Sequence, residues 1–540
     1  MKEKGRSFGK SAVLLAGIGI VAKLIGALYR VPLTNIVGAE GMGLYQMVFP
    51  LYTVLLAFCG GGVTSAVSRV VAKYKAVGDD GACLRAVKIA LLPLIAVSVA
   101  AAGGVALLRN VISGVQGNAD AAPAYLAICP SLLFASGINV LRGYFQGRSN
   151  MLPSGVSQLI EQGIKLGLGL YLSRLLLPYG VKYAVSGALI GVTASEFVAL
   201  AYLSVRFLIS RKKRKRYVVL GAPVTEASAE FTVSEHVPDK TIAKELFSFA
   251  ASVTLGSLVL PVTQIIDSVL VINMLGYGAG AAQATALFGL LVGPVGTLIN
   301  MPTVVALSVA IAFLPAVTSA IAKGEDGAAI ARNAAKWIFL FTVPVTAVFL
   351  LFPERVCYTL YSKGLTADQL AVASQLLRVQ AVSVFYIGVL QLCTTVLQAH
   401  NKAHVPVVNL IIGACVKVGA TPILVRAFGI SGAAAATACC YAIAAILTAR
   451  SAYKRMPMGL SVKDSFLKPV AFTVAASAVF AGMLYALGGT GLPYLWQTVI
   501  AAACFVAVYC AGAVMFGVAN IKQIISDLRA RRAQKNHKLS

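Results

Sequence analysis

Apolar residues in this chain come in long blocks, separated by short charged stretches. A transmembrane helix needs about 20 mostly apolar residues in a row. Fourteen blocks meet that need: 8–29, 41–72, 84–108, 121–145, 151–178, 180–209, 241–275, 281–322, 327–352, 366–398, 404–427, 430–453, 466–488 and 493–518. The clearest stretch is 469–521, which has no charged residue and is long enough for two spans. Residues 246–322 carry a single charge, Asp267. The expected fold is all-α and polytopic, with fourteen transmembrane helices. The block 8–29 follows Lys2, Lys4, Arg6 and Lys10, as in a signal peptide, but it is longer than such a core and no A-x-A site ends it, so it is expected to stay as the first span.

Composition supports a membrane protein and excludes a soluble one. Hydrophobic residues make up 58% of the 540 and charged residues 12%, where a soluble domain carries about 25% charge. The net charge is +27. In a soluble protein that excess would suggest nucleic acid; here the positive-inside rule accounts for it, and no nucleic-acid partner is expected. With both termini on one side, 35 Lys and Arg fall on that side. Only eight fall on the other: Arg30, Arg109, Arg174, Lys182, Arg355, Lys363, Arg378 and Arg426. The majority side is expected to be cytoplasmic. The run from Arg211 to Arg216 anchors that topology or binds anionic lipid. Most of the ten cysteines lie inside apolar runs and read as small buried hydrophobes.

The chain also repeats itself. Residues 66–73 reappear as 316–323, and Gly78-Asp79-Asp80-Gly81-Ala82 as Gly324-Glu325-Asp326-Gly327-Ala328. Gln146 matches Gln398, Lys165-Leu166-Gly167 matches Lys417-Val418-Gly419, and Ser186-Gly187-Ala188 matches Ser431-Gly432-Ala433. The offsets stay between 245 and 252. Matched helices lie six spans apart, which makes a parallel repeat. The expected organisation is a lobe over 1–209, a basic linker over 210–240, a second six-helix lobe over 241–453, two further spans over 454–518 and a basic tail over 519–540. Two like lobes suggest alternating access around a cavity between them.

Several motifs resemble a known group. They are Lys23-Leu24-Ile25-Gly26 through Arg30, residues 38–46 (GAEGMGLYQ), and residues 143–151 (GYFQGRSNM) with Pro153, Ser157-Gln158 and Glu161-Gln162. These are similar to the stage V sporulation protein B family of the multidrug/oligosaccharidyl-lipid/polysaccharide flippase superfamily. The resemblance implies a MATE-like fold in a bacterial plasma membrane. It implies translocation of an undecaprenyl-pyrophosphate-linked saccharide, foremost the peptidoglycan precursor lipid II, with cell-wall synthesis proteins as possible partners. A drug/cation antiporter of the same superfamily and a non-transporting cell-wall or sporulation scaffold are the alternatives. Lipid II flippases of Gram-negative bacteria carry essential arginines on spans one, two and eight. Lys23 and Arg30 match span one with one residue more between them, whereas 41–68 and 281–322 hold no arginine.

Ionisable side chains at membrane depth are costly and mark a cavity or a partner. Lys23, Arg30, Arg142, Glu161, Lys165 and Lys417 are the candidates for substrate binding. Arginine offers phosphate a fork of N–H donors and lysine a point charge. Glu161 and Lys165 stand at i,i+4 and are expected to pair, either as structure or until phosphate displaces Glu161. Lys417 has no acid in its own span. Asp267 has three readings: a gate with Arg30, a cation or proton coupling site, or a locally hydrogen-bonded acid. Glu196 reads as polar glue inside the bundle. Gly60-Gly61-Gly62 serves close packing or a hinge. No Walker A motif is present, and His400 and His404 lack further ligands, so neither enzyme activity, cofactor nor metal is expected.

Overall fold

A computed structural model describes Leu15 and residues 17–219, 238–459 and 466–515. All regular structure among them is helical. The N-terminal charges, the linker 220–237, the tail 516–540 and the side chains of the basic run from Lys212 onward lie outside the described residues, as do the lipid contacts expected of them.

Eleven described helical runs are long and apolar enough to cross a membrane. One of them, Gly17–Ala76, covers the expected spans 8–29 and 41–72. The expected spans 151–178 and 241–275 are not among the eleven. The chain clusters into two compact units. One comprises residues up to 297 together with 363–369 and 414–436; the other comprises 298–362, 370–413 and the chain from 437.

The first unit begins with α1 (17–28) and α2 (Arg30–Leu56), separated by a turn at Tyr29. The backbone breaks inside α2 at Gly38, where φ is +68°, a value that L side chains rarely adopt. A π-turn over Ala57–Gly61 leads into α3 (Val63–Ala76). Then follow α4 (Asp80–Val115), α5 (Ala122–Ile128), α6 (Ser131–Gly147) and α7 (Leu152–Ile164). A second π-turn, Lys165–Gly169, separates α7 from α8 (Leu170–Leu176). The long α9 (Val181–Val219), α10 (Asp239–Ser257), α11 (Val259–Ala279) and α12 (Ala281–Leu290) complete this part, and a third π-turn covers Leu291–Val295. π-turns interrupt the i→i−4 ladder and concentrate at functional sites. The carbonyl of Val292, in the third, accepts a hydrogen bond from Gln46 Nε2 at 3.2 Å.

Apolar contact is no driving force between helices in lipid; close backbone approach and interhelical hydrogen bonds take its place. Gly143 and Gly147, four residues apart on α6, meet the carbonyls of Thr64 and Ser68 on α3. Gly62 meets the carbonyl of Ala250, bringing α10 onto the α2–α3 break. Gly43 on α2 and Gly289 on α12 let those helices touch backbone to backbone. Beside that crossing, Asn118 Nδ2 donates to Thr285 Oγ1 at 2.9 Å. Tyr125 Oη donates to Gln116 Oε1 at 2.5 Å, and Gln116 Nε2 donates to the Met47 carbonyl at 3.1 Å. At the far ends of α3 and α4 the contacts with α10 are ionic. Lys73 Nζ lies 2.5 Å from Glu245, and Arg85 Nε lies 3.6 Å from Asp239.

The second unit carries most of α13 (Gly296–Lys323), with α14 (Gly327–Leu351), α15 (Pro353–Tyr361) and α16 (Ala367–Ala399). It also holds the start of α17 (His404–Phe428), the larger part of α18 (Ile430–Tyr453), α19 (Lys468–Gly488) and α20 (Tyr494–Met515). The described part of the uncharged stretch, 469–515, accordingly forms a helix pair. Phe472, Phe480, Phe505 and Tyr509 fill its seam, and Tyr509 Oη donates to the Leu340 carbonyl of α14 at 2.8 Å.

The repeat reappears in the turns. Gly78 and Gly324 have φ of 77° and 72°. The amides of Asp79 and Glu325 each donate to a carbonyl five residues back at 2.9 Å, and Asp79 and Asp326 then cap α4 and α14. Ser149 and Asn401 are the non-glycine residues with positive φ among those described, at 61° and 58°. Their amides donate to Gln146 and Gln398 at 2.9 and 3.0 Å. The ten cysteines are free thiols, and Cys415, Cys439 and Cys510 are exposed, a correction to their reading as buried hydrophobes.

Candidate functional site

Charged and aromatic side chains of the first unit converge where α2, α6, α7 and α9 meet. Arg142 projects from α6 toward α7. Its Nε donates to Ser157 Oγ at 2.9 Å and its Nη2 to Glu161 Oε2 at 3.0 Å. Gln162 Nε2 lies 3.3 Å from the other Glu161 oxygen. The expected Glu161–Lys165 pair is therefore replaced by Arg142–Glu161. The guanidinium offers two directed donors to neighbouring groups of α7, which the lysine point charge cannot match. Lys165 also falls just past the end of α7, as the first residue of the π-turn.

Lys165 Nζ instead lies over two rings, 5.1 Å from the centroid of Tyr29 and 5.5 Å from that of Phe49. The guanidinium carbon of Arg30 lies 5.7 Å from the same Phe49 ring. Two cations thus share one aromatic side chain. Among the described residues neither has a carboxylate within ion-pair distance. Cation–π attraction holds each by about 0.5–2 kcal/mol, less than a phosphate contact would give.

Deeper in the same cluster, the Tyr52 hydroxyl donates to Glu196 Oε1. Glu196 is 6% exposed and its Oε2 is buried without a hydrogen-bond partner. This is the polar glue expected of Glu196, with Tyr52 as the partner that helical spacing could not disclose. Lys23 lies on α1 and is exposed; the structure does not bring it into the cluster.

Lys417 and Asp267 form a separate pair. The Lys417 ammonium is hydrogen-bonded to Asp267 Oδ2, joining α17 to α11, and the side chains are 12% and 14% exposed. Of the three readings of Asp267, the pairing with Arg30 is corrected: Asp267 takes Lys417, and Arg30 rests on Phe49. Lys417 lacks an acid in its own helix but finds one in another. The shared offset of 252 between Lys165 and Lys417 identified two corresponding lysines without disclosing that their surroundings differ.

A bundle of membrane-length helices with cations and acids at membrane depth defines an all-helical, multi-pass membrane protein. Its fold is that of the lipid II flippase MurJ in an inward closed conformation, at a TM-score of 0.67 and 14% identity over 93% of this chain and 98% of that one. It is likewise that of a multidrug resistance MATE family transporter of the MOP superfamily, at 0.62 and 15% over 80% of this chain and 94% of that one. The sequence goes further: residues 8–321 match the polysaccharide biosynthesis protein family, and the chain belongs to it. Residues 244–500 match the lipid II flippase MurJ family. Stage V sporulation protein B of Bacillus subtilis (strain 168) is 26% identical over 468 residues, 85% of this chain and 86% of that protein. Lipid II flippase MurJ of the same organism is 24% identical over 446 residues, 79% of each.

Proposed function

We propose that this protein is a flippase that moves an undecaprenyl-pyrophosphate-linked saccharide, foremost lipid II, across a bacterial plasma membrane by alternating access. In this reading it has fourteen spans and both termini in the cytoplasm, and 1–209 and 241–453 act as parallel lobes. The matching turns at Gly78 and Gly324, and at Ser149 and Asn401, support that organisation.

The observation that carries the reading is the Phe49 ring between Arg30 and Lys165. A pyrophosphate leaving water needs cations that are not already neutralised. Arg142 is tied to Glu161 and Lys417 to Asp267, so Arg30 and Lys165 are the groups open to it first, with Tyr29 and Phe49 as their resting place. Lys23, exposed on α1, meets the substrate only on its way in.

One observation favours the antiporter instead: Glu196 with Tyr52 is an acid beside an aromatic ring, which an organic cation would seek. Glu161 adds a second acid nearby, but Arg142 pairs with it, and Arg142 and Lys165 both oppose a cation there. The scaffold reading predicts that losing Lys165 or Lys417 costs nothing. Reconstitution in liposomes separates all three. Labelled lipid II should cross and an organic cation should not. Arg30→Ala and Lys165→Ala should each lower apparent affinity by roughly ten- to a hundredfold, equivalent to about 1.5–3 kcal/mol for a charged hydrogen bond. Cation transport, or full flipping by the double alanine variant, refutes the proposal.

A further inference from the structure

Lys165 and Lys417 occupy corresponding places in the two halves. Each lies sixteen residues beyond a left-handed turn residue, Ser149 and Asn401 respectively. Their surroundings differ. Lys165 rests on aromatic rings that any phosphate can outbid. Lys417 is hydrogen-bonded to a carboxylate, and both members of that pair are largely buried. The helix that carries the carboxylate is held on another side: on α11 the next residue, Ser268, accepts from Gln116 at 3.3 Å, and Asn273 Nδ2 donates to the Val115 carbonyl at 2.9 Å. α11 is therefore pinned to the end of α4 by neutral hydrogen bonds, while its one charge reaches toward α17.

We infer that Asp267 masks Lys417, and that Lys417 is a second diphosphate-binding cation, unmasked when the substrate's diphosphate displaces the Asp267 carboxylate. The inference rests on the flippase reading above. The exchange conserves charge pairing, because the ammonium passes from one oxyanion to another and is never left bare. It also gives release a driving group: when the carboxylate returns to Lys417, it competes the diphosphate off. A purely structural ion pair would have no such dependence on ligand, since buried pairs are often replaceable by apolar residues at little cost.

The test uses the full chain in nanodiscs and farnesyl diphosphate as the probe, with farnesyl monophosphate as control. Asp267→Asn removes the competing charge and should bind the diphosphate about tenfold more tightly, the equivalent of one modest charged contact. Lys417→Met should not gain. The double variant Asp267→Asn/Lys417→Met, which leaves no uncompensated buried charge, should match Lys417→Met, because the gain needs the lysine. In the wild type, diphosphate should raise modification of Asp267 by a hydrophobic carbodiimide several-fold, a readout that depends on no variant folding. Diphosphate binding by the wild type that Asp267→Asn leaves unchanged or weakens, a gain that survives in the double variant, or unaltered carbodiimide labelling overturns the masking. Failure of wild type and variants alike to bind the diphosphate overturns the flippase reading itself, and the masking with it.

Discussion

Gly43→Ala tests whether the α2–α12 crossing is a gate. A methyl group added at Gly43 would lie 2.6 Å from Thr285 Cγ2 and closer still to the Thr285 carbonyl oxygen. Ordinary contact begins near 3.4 Å. The obstacle is largely backbone, so no side-chain rotation relieves it; the helices must part by the better part of an ångström. Overpacking of this kind costs roughly 1–3 kcal/mol. That energy falls on the state in which α2 and α12 touch, so the separated state should gain by about five- to 150-fold. Asn118 would also lose its 2.9 Å hydrogen bond to Thr285 as the helices part. Spin labels at the exposed positions Tyr277 and Tyr179 would report the population as a second, longer distance. Gly289→Ala, whose methyl group would lie 2.5 Å from the Gly43 amide, should act alike. The two should not add, because they break one contact. An unchanged distance distribution with an unchanged melting temperature in Gly43→Ala would refute the argument.

Three further outcomes follow from the geometry. Tyr52→Phe leaves the buried Glu196 without its donor and should cost about 1–3 kcal/mol, read as a lower melting temperature in detergent; no change would mean that water already serves this acid. Exchanging the charges of Lys73 and Glu245 should restore what either single reversal loses, each loss being no more than about 1 kcal/mol because the pair is well exposed, and 0.5 M salt should abolish the difference. Ser149→Gly should stabilise by up to about 1 kcal/mol, since serine holds a left-handed conformation that glycine adopts freely, whereas Asn401→Gly should gain less; equal gains in thermal unfolding would contradict this.

Much of the fold is legible in the chain because lipid imposes one rule on every apolar block. The 469–521 stretch had to be helical, and its Gly488–Pro493 interval is where the helices α19 and α20 part. The breaks were harder to place. Gly60-Gly61-Gly62 is compatible with one, and Pro294 disturbs the ladder within 291–295, but nothing in residues 165–169 distinguishes a π-turn from continuous helix, because a π-turn answers to neighbouring helices. Partner choice was the least legible part. Helical spacing offered Glu161 to Lys165, yet Arg142, nineteen residues away on α6, holds it. A gate with Arg30 is one of three readings of Asp267 open to the sequence, and Lys417, 150 residues on, answers it. Charges identified which side chains matter at membrane depth, and only packing decided which of them meet.

The matched turns have a consequence for how the two halves came to differ. Their hydrogen bonds run from main-chain amide to main-chain carbonyl, so the turn at Ser149 and the turn at Asn401 close with almost no regard for side chain. Descendants of a duplicated ancestor could therefore exchange nearly every residue around such a turn and keep its shape. The side chains around the lysine that each turn precedes are therefore not dictated by the turn. Lys165 meets rings, and Lys417 meets an acid. Matching main-chain geometry thus tolerates unlike side chains around the two lysines, rings at one and a carboxylate at the other.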